Sequence, residues 1–267
     1  MSYEQPEFWF KGKAAIVTGG AQGLGFAAAQ KLAEHGARVF IADRDEALAQ
    51  QSAVSLPGEG HGALFCDVTS DADRQRVVNH VVREAGGLHI LLNNAGIQYH
   101  ADAAEMDDEG WRRVFEVNVH SMMFMSKLAA RQMIAQREGS IVNIGSISSF
   151  FGMPRRSVYV TTKTAVLGMS RGLASEWAPY NVRVNVVCPG YHETKLFKDY
   201  VDKGVLDPEV IRGRIPMGRL GTPGDIGNAV VMLCSPLASY ITGQSIMVDG
   251  GYTIYGAPNA YEHAGIE

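Results

Sequence analysis

The stretch SVYVTTKTA, residues 157–165, sets a phenol and an ammonium group four positions apart, at Tyr159 and Lys163. On a helix, side chains at i and i+4 stand on one face. A lone pair of this kind is usually a surface contact. Its chemical use would be acid–base work. A free tyrosine, with a pKa of about 10, is a poor base at neutral pH, and a nearby cation favours the phenolate.

A second constellation is TGGAQGLG, residues 18–25. Gly19, Gly23 and Gly25, with Gln22 and Leu24 between them, follow an apolar run and precede a helical pattern. Glycine there permits a tight turn and close approach of the backbone to a pyrophosphate. The helix N-terminus adds free N–H groups and a positive dipole end. The spacing is GxxxGxG and departs from GxGxxG. Asp43 ends the next apolar run, eighteen residues after Gly25. A carboxylate at that distance accepts both hydroxyls of an adenosine ribose and repels a 2′-phosphate. Together with the uncharged Gln22 it points to NAD over NADP, although Arg44 complicates that reading. Asp43 is also placed to cap the helix that opens on DEALAQ.

Elements must hold these groups together. Apolar runs at 14–18, 38–42, 63–66, 89–93, 140–145, 182–187 and 245–248 alternate with helical patterns near 24–35, 45–54, 71–85, 108–136, 157–178 and 223–234. Mostly continuous apolar strands alternating with helices predict a doubly wound, Rossmann-type α/β fold: about seven parallel strands with helices on both faces. No linker or repeat divides the chain, so residues 1–267 read as one domain. Residues 191–215 fit the alternation worst and read as a mobile cover over a site. The aromatics of the tail, 252–267, suggest docking, across a subunit boundary or otherwise.

Composition bounds the class. The chain has 267 residues, 46% hydrophobic and 19% charged, with a formal net charge of −4. Nothing basic suggests nucleic acid, no apolar run approaches the roughly 20 residues of a membrane span, and residues 1–13 lack a secretory pattern. Cys66, Cys188 and Cys234 read as small buried hydrophobes in a reducing, cytoplasmic setting. The histidines show no metal-ligand spacing, so no metal is expected.

The glycine turn, NNAG (93–96), VNV around Asn118, Ser146 thirteen residues before Tyr159, and YVTTK (159–163) occur in one order. CPG (188–190) with Thr194 and GQSIMVDGGY (243–252) follow. Over roughly residues 10–252 this order resembles the short-chain dehydrogenase/reductase family in its classical form. The resemblance implies hydride transfer between a secondary alcohol or its ketone and a nicotinamide. It implies Tyr159 as acid/base and Lys163 as the cation that tunes it and holds the nicotinamide ribose. Lowering a tyrosine pKa by about three units takes roughly 4 kcal/mol, and one lysine with one cofactor charge in a partly dry cleft supplies that order. Ser146, past a strand end, would hydrogen-bond the substrate oxygen, with Ser148 as a rival. Asn118 would help hold a water that passes protons from Lys163. Asp67 resembles the family's adenine-contacting aspartate, with Val68 and Ile97 beside the adenine. Asn94, Ala95 and Gly96 would line the adenosine half of the cofactor, and Asn93 would brace neighbouring strands. Pro189 and Gly190 would shape the loop from which Thr194 touches the carboxamide.

The substrate would be read by Gln98, Tyr99, Ser148, Phe151, Met153, Arg155, Arg156, Tyr191, His192 and residues 195–215. Their mixture of polar and aromatic groups tilts toward a sugar, polyol or cyclic alcohol. His192 is either a hydrogen-bonding partner or a solvent-facing lid residue. Arg155 and Arg156 either attract an anion or serve as exposed or subunit-contact arginines. The methionine-rich helix at 121–133 is usual for a core; in this family it often packs against its twin, which implies a homotetramer. Two alternatives stand beside the leading one: an NADPH-dependent 3-ketoacyl-thioester reductase, and a dinucleotide-sensing protein without catalysis.

Overall fold

Each strand has two cores to fill. In β1 (Ala14–Thr18), Ala15 and Val17 enter one hydrophobic cluster while Ala14 and Ile16 enter another. In β2 (Arg38–Asp43), Val39 and Ile41 oppose Phe40 and Ala42 in the same way. A run that is apolar at every position is what a sheet covered on both faces demands. The remaining strands are β3 (Gly62–Phe65), β4 (Ile90–Asn93), β5 (Gly139–Ile144), β6 (Val182–Pro189) and β7 (Ser245–Val248). All pair in parallel, in the order β3-β2-β1-β4-β5-β6-β7. The computed structural model describes residues 9–256.

The helices are α1 (Gly23–Glu34), α2 (Glu46–Ser55), α3 (Asp71–Ala85), α4 (Asp108–Phe115), α5 (Ser121–Gln136), α6 (Ser157–Trp177), α7 (Lys195–Asp202), α8 (Pro208–Arg212) and α9 (Pro223–Cys234). Ala28 and Leu32 of α1 pack with Ile226 and Val230 of α9 on one face of the sheet. Val77 and Val81 of α3, Met125 and Met133 of α5 and Leu173 of α6 fill the other. The methionine stripe is therefore mostly core, with Met122 buried as well. The fold is doubly wound, and the winding reverses beside β1 and β4. There the two halves of the sheet leave a crevice at the carboxyl ends of the strands, where such sheets bind ligands.

One expectation is corrected. The helix over 108–136 is interrupted: a π turn, Glu116–His120, separates α4 from α5. The cause is Asn118, fully buried, whose side chain accepts from Ile97 N at 2.8 Å and donates to Ile97 O at 2.9 Å. One extra residue in the turn lets the amide face that backbone. Residues 191–215 carry the short helices α7 and α8. Ile211 and Ile215 anchor that segment in a small cluster with Ile147, Leu220 and Tyr252. Of the tail, Tyr252 packs against Tyr191 and Phe151, at centroid distances of 5.2 and 5.9 Å. Residues 257–267, like residues 1–8 on which the reading of the N-terminus chiefly rests, lie outside the described residues.

Candidate active site

A cleft of about 1030 Å³ runs along the carboxyl ends of the strands, from Asp43 and Asp67 at one end to Tyr191 and Tyr200 at the other. Its first end is backbone. Gly19 and Gly23 adopt φ of 61° and 60°, a region that favours glycine. A Cβ on Gly19 would stand 2.9 Å from Ala95 Cα, so the turn lies hard against residues 94–96. Asn94 donates from Nδ2 to Gly19 O at 2.7 Å and to Thr18 O at 3.1 Å. Gly25, expected among the cofactor-binding residues, is absent from the cleft wall. A Cβ there would stand 2.4 Å from Asn94 Nδ2, so its smallness serves that staple. Around Gly23 nothing lies within 4 Å of a Cβ position. The open turn with its helix N-terminus fits a pyrophosphate. Gln22, Leu24, Val68, Ala95 and Gly96 complete this wall.

Asp43 reaches the same wall. Its carboxylate accepts from Ala21 N and Asp45 N, each at 3.1 Å. It does not cap α2: Asp45 does, accepting from Leu48 N at 3.0 Å. Asp43 therefore keeps lone pairs for a ligand. Asp67 accepts from Thr69 N and Oγ1, and these hydrogen bonds hold its carboxyl below the usual range. Arg44 from the β2 end and Arg113 from α4 also line this region. No motif marked α4 as a contributor.

The central residues converge. Lys163, 3% exposed, donates from Nζ to Ile144 O at 2.8 Å and lies 5.8 Å from the Tyr159 ring centroid. Burial pushes its pKa down to about 8. One of its three N–H donors is used and two remain. Burial pushes the Tyr159 phenol up, while a hydrogen bond with Ser146 and the charge of Arg156 pull it down. Without a ligand, then, the protein favours the neutral phenol, and Lys163 is not among the groups that oppose this. Ser146 sits past β5, accepting from Ser148 N at 3.1 Å. Asn118 stands behind the wall and also donates to Thr162 Oγ1 at 3.2 Å. Its Oδ1 and Lys163 Nζ flank one point beside Gly96, 3.3 and 3.6 Å from where a Cβ would stand. Asn93 braces β4 on β5, donating to Asn143 Oδ1 at 2.8 Å and to Ser126 Oγ at 2.9 Å.

At the far end Gln98, Met153, Arg156, Tyr191, His192, Pro189, Gly190 and Thr194 line the cleft as expected. Thr194 caps α7 through Phe197 N at 3.2 Å. Four candidates do not line it. Ser148 is buried, 1% exposed, and its Oγ finds no partner among the described residues. Tyr99 donates to the Asp107 carboxylate, Phe151 packs tilted against Tyr252, and Arg155 is exposed. The solvent-facing reading of His192 is also overturned. The ring is buried against Gly221, burial lowers its pKa, and its Nδ1 lies 3.2 Å from Gly190 O. A sequence pattern cannot show that Gly221, twenty-nine residues on, leaves room for that ring.

A family model described as enoyl-(acyl carrier protein) reductase matches residues 19–253. Galactitol 2-dehydrogenase (L-tagatose-forming) of Cereibacter sphaeroides is 38% identical over 93% of this chain and 98% of its own length. A 3-oxoacyl-(acyl-carrier-protein) reductase of Vibrio cholerae is 37% identical over 90% and 97%. The crystal structure of gox2181 superposes with a TM-score of 0.87 at 37% identity, covering 92% of this chain and 97% of that one.

Proposed function

The chain belongs to the short-chain dehydrogenase/reductase family, whose members use a nicotinamide dinucleotide, and we propose that within it this oxidoreductase is an NAD(H)-dependent dehydrogenase of secondary alcohols. The substrate class is a sugar, polyol or cyclic alcohol and the corresponding ketone. The convergence of Ser146, Tyr159 and Lys163 midway along a cleft whose wall also carries the glycine turn and Asp43 supports this reading. NAD, when bound, supplies the hydride acceptor. Asp43 accepts its ribose hydroxyls through the lone pairs that Ala21 and Asp45 leave open. Lys163 uses one of its two remaining N–H donors on the nicotinamide ribose and keeps the other for a water. Tyr159 takes the carbinol proton while Ser146 donates to the same oxygen. The positive charge of the oxidised cofactor would add to that of Arg156 in opposing the burial that keeps the phenol neutral. Asn118 and Lys163 hold a water between them for proton exchange with solvent.

The α7–α8 segment covers the substrate. Residues 1–267 act as one catalytic unit, and the molecule is a cytoplasmic homotetramer. Trp111 of α4 and Phe124 of α5, each 38% exposed, suit a face buried by a second copy. No helix among the described residues is long and apolar enough to cross a membrane.

A second reading, NADPH-dependent reduction of a 3-ketoacyl thioester, draws on Arg44 and Arg113, two guanidiniums that line the cleft near Asp67. Purified protein assayed with NAD and NADP in parallel, against polyols, sugars, cyclic alcohols and ketoacyl thioesters, separates the readings. Reduced-cofactor absorbance should rise with NAD and a secondary alcohol. A signal confined to NADPH and the thioester moves the assignment to the second reading. Dinucleotide binding without turnover of any substrate makes the chain a sensor.

A further inference from the structure

The wall of the cleft beside Tyr159 carries a guanidinium with no carboxylate of its own. Arg156 lines the cleft three residues before Tyr159, at the N-terminus of α6. Arg156 is the N-cap of that helix, and its carbonyl accepts from Val160 N at 2.9 Å, which ties it to the first turn. The Arg156 guanidinium lies over the Tyr200 ring, 5.9 Å from its centroid, and Tyr200 is itself stacked on His100 at 5.5 Å. Among the described residues Arg156 makes no salt bridge. The acidic residue of the cleft wall close by in α7, Asp199, is engaged by Lys195 at 3.1 Å. The charge of Arg156 reaches Tyr159, Tyr191 and His100. A second guanidinium, Arg214, lies over Tyr252 at 4.7 Å, and its charge also acts on Tyr191. It too makes no salt bridge among the described residues.

The backbone adds a constraint. Arg155 holds φ of 62°, uncommon for a residue with a side chain. Its carbonyl accepts from Ala101 N at 3.1 Å. That strained residue turns the chain just before the helix begins, and Arg156 stands on the cleft while Arg155 stays outside it. Arginine is the side chain that matches a carboxylate with two parallel hydrogen bonds, and stacking on an aromatic ring fixes the plane of its fork.

We propose that Arg156 recognises a carboxylate on the substrate, so that the secondary alcohols this protein oxidises are hydroxy acids, with the carboxylate a few carbons from the carbinol. The inference rests on the reading of the site as an alcohol dehydrogenase. It narrows that reading from a polyol to a polyol or hydroxyalkyl acid. Gln98, whose Oε1 pairs with His100 Nε2 at 3.1 Å, lines the same wall and offers its amide N–H groups to further hydroxyls.

The test compares D-gluconate and 3-hydroxybutyrate, each with its neutral amide, and sorbitol 6-phosphate, in the wild type, Arg156→Lys and Arg156→Gln. A charge-assisted bidentate contact predicts that kcat/KM for the better acid exceeds that of its amide by about 30-fold in the wild type. The ratio should fall to about threefold or less in Arg156→Gln and lie between in Arg156→Lys, which keeps the charge and loses the fork. Using the ratio removes the effect that losing Arg156 has on Tyr159 for acid and amide alike. Calorimetric titration of the NADH-loaded protein with the two acids and amides runs beside the kinetics and needs no turnover. Equal turnover of acid and amide, or a ratio that survives Arg156→Gln, overturns the inference while the dehydrogenase reading stands. Preference for the phosphate ester over both acids overturns it too. If no alcohol is oxidised, the dehydrogenase reading fails, and preferential wild-type binding of the acids lost in Arg156→Gln still sustains the carboxylate site; its absence removes both.

Discussion

The two ends of the cleft are built by different means. At the glycine turn the wall is made by backbone: positive-φ glycines, a strand end and the Asn94 staple, all fixed by pairing of β1 with β4. At the α7–α8 end it is made by side chains that stand outside the sheet: Arg156 over Tyr200, Tyr200 stacked on His100, and Tyr191 edge-on to Tyr252. Backbone recognition tolerates little change and serves one ligand part common to many proteins. Side-chain recognition can change without disturbing the sheet. Relatives named for galactitol and for a 3-oxoacyl group align with this chain at nearly the same identity, which is consistent with a shared turn and a variable far end.

The sharpest way to break this contrast is between the ends. Tyr159→Phe should lower turnover by about 10³-fold and leave NAD affinity, measured by fluorescence titration, within about twofold. Comparable loss of both would mean that the middle of the cleft is not distinct from its cofactor wall. Next in size, Asp43→Ala should lower the ratio of kcat/KM for NAD to that for NADP by about 10²-fold, since hydrogen bonds to a charged group are each worth about 1.5–3 kcal/mol. An unchanged ratio would remove Asp43 from ribose recognition.

Two glycine changes sharpen the comparison further. Gly96→Ala places a methyl beside Asn118 Oδ1 and Lys163 Nζ. Turnover should fall about tenfold, as for a displaced relay water, with NAD affinity moving less; the reverse pattern would assign Gly96 to cofactor contact alone. Gly23→Ala meets no neighbour but holds φ of 60°. It should cost about 1–2 kcal/mol of stability, read as a lower urea midpoint.

The smallest expected effect is a shift of pH dependence. Alcohol oxidation needs the phenolate, so its rate rises as pH passes the apparent pKa of Tyr159. Ser146 favours the phenolate. Ser146→Ala therefore raises that pKa, and the rising limb of the residual activity should move to higher pH. A limb that stays or moves lower would detach Ser146 from the phenol.

Much of this was legible in the residues. Continuous apolar strands marked the sheet, and the glycine turn, Ser146, Tyr159 and Lys163, picked out by their order, line one cleft. What escaped is three-dimensional. Spacing made Asp43 a candidate cap, and only the helix start at Glu46 gives that role to Asp45. Ser148 and Ser146 differ by two positions, and the 3₁₀ turn Ile147–Ser149 buries one and leaves the other on the cleft. His192 depends on a distant glycine. The interruption at Asn118 leaves no trace in helical periodicity, because the apolar pattern resumes after it.

That interruption has a mechanical consequence. A π turn carries one residue more than a regular helix needs. The bulge absorbs that residue within one wide turn, so α4 and α5 keep the mutual phase of an unbroken helix. Removing one residue from 116–120 would close the rod into a regular helix and leave Met125 and Met133 on the sheet. The loss would fall on the amide at 118, which the bulge turns toward Ile97. A single-codon deletion there should therefore spare the fold and strike the polar groups behind Gly96.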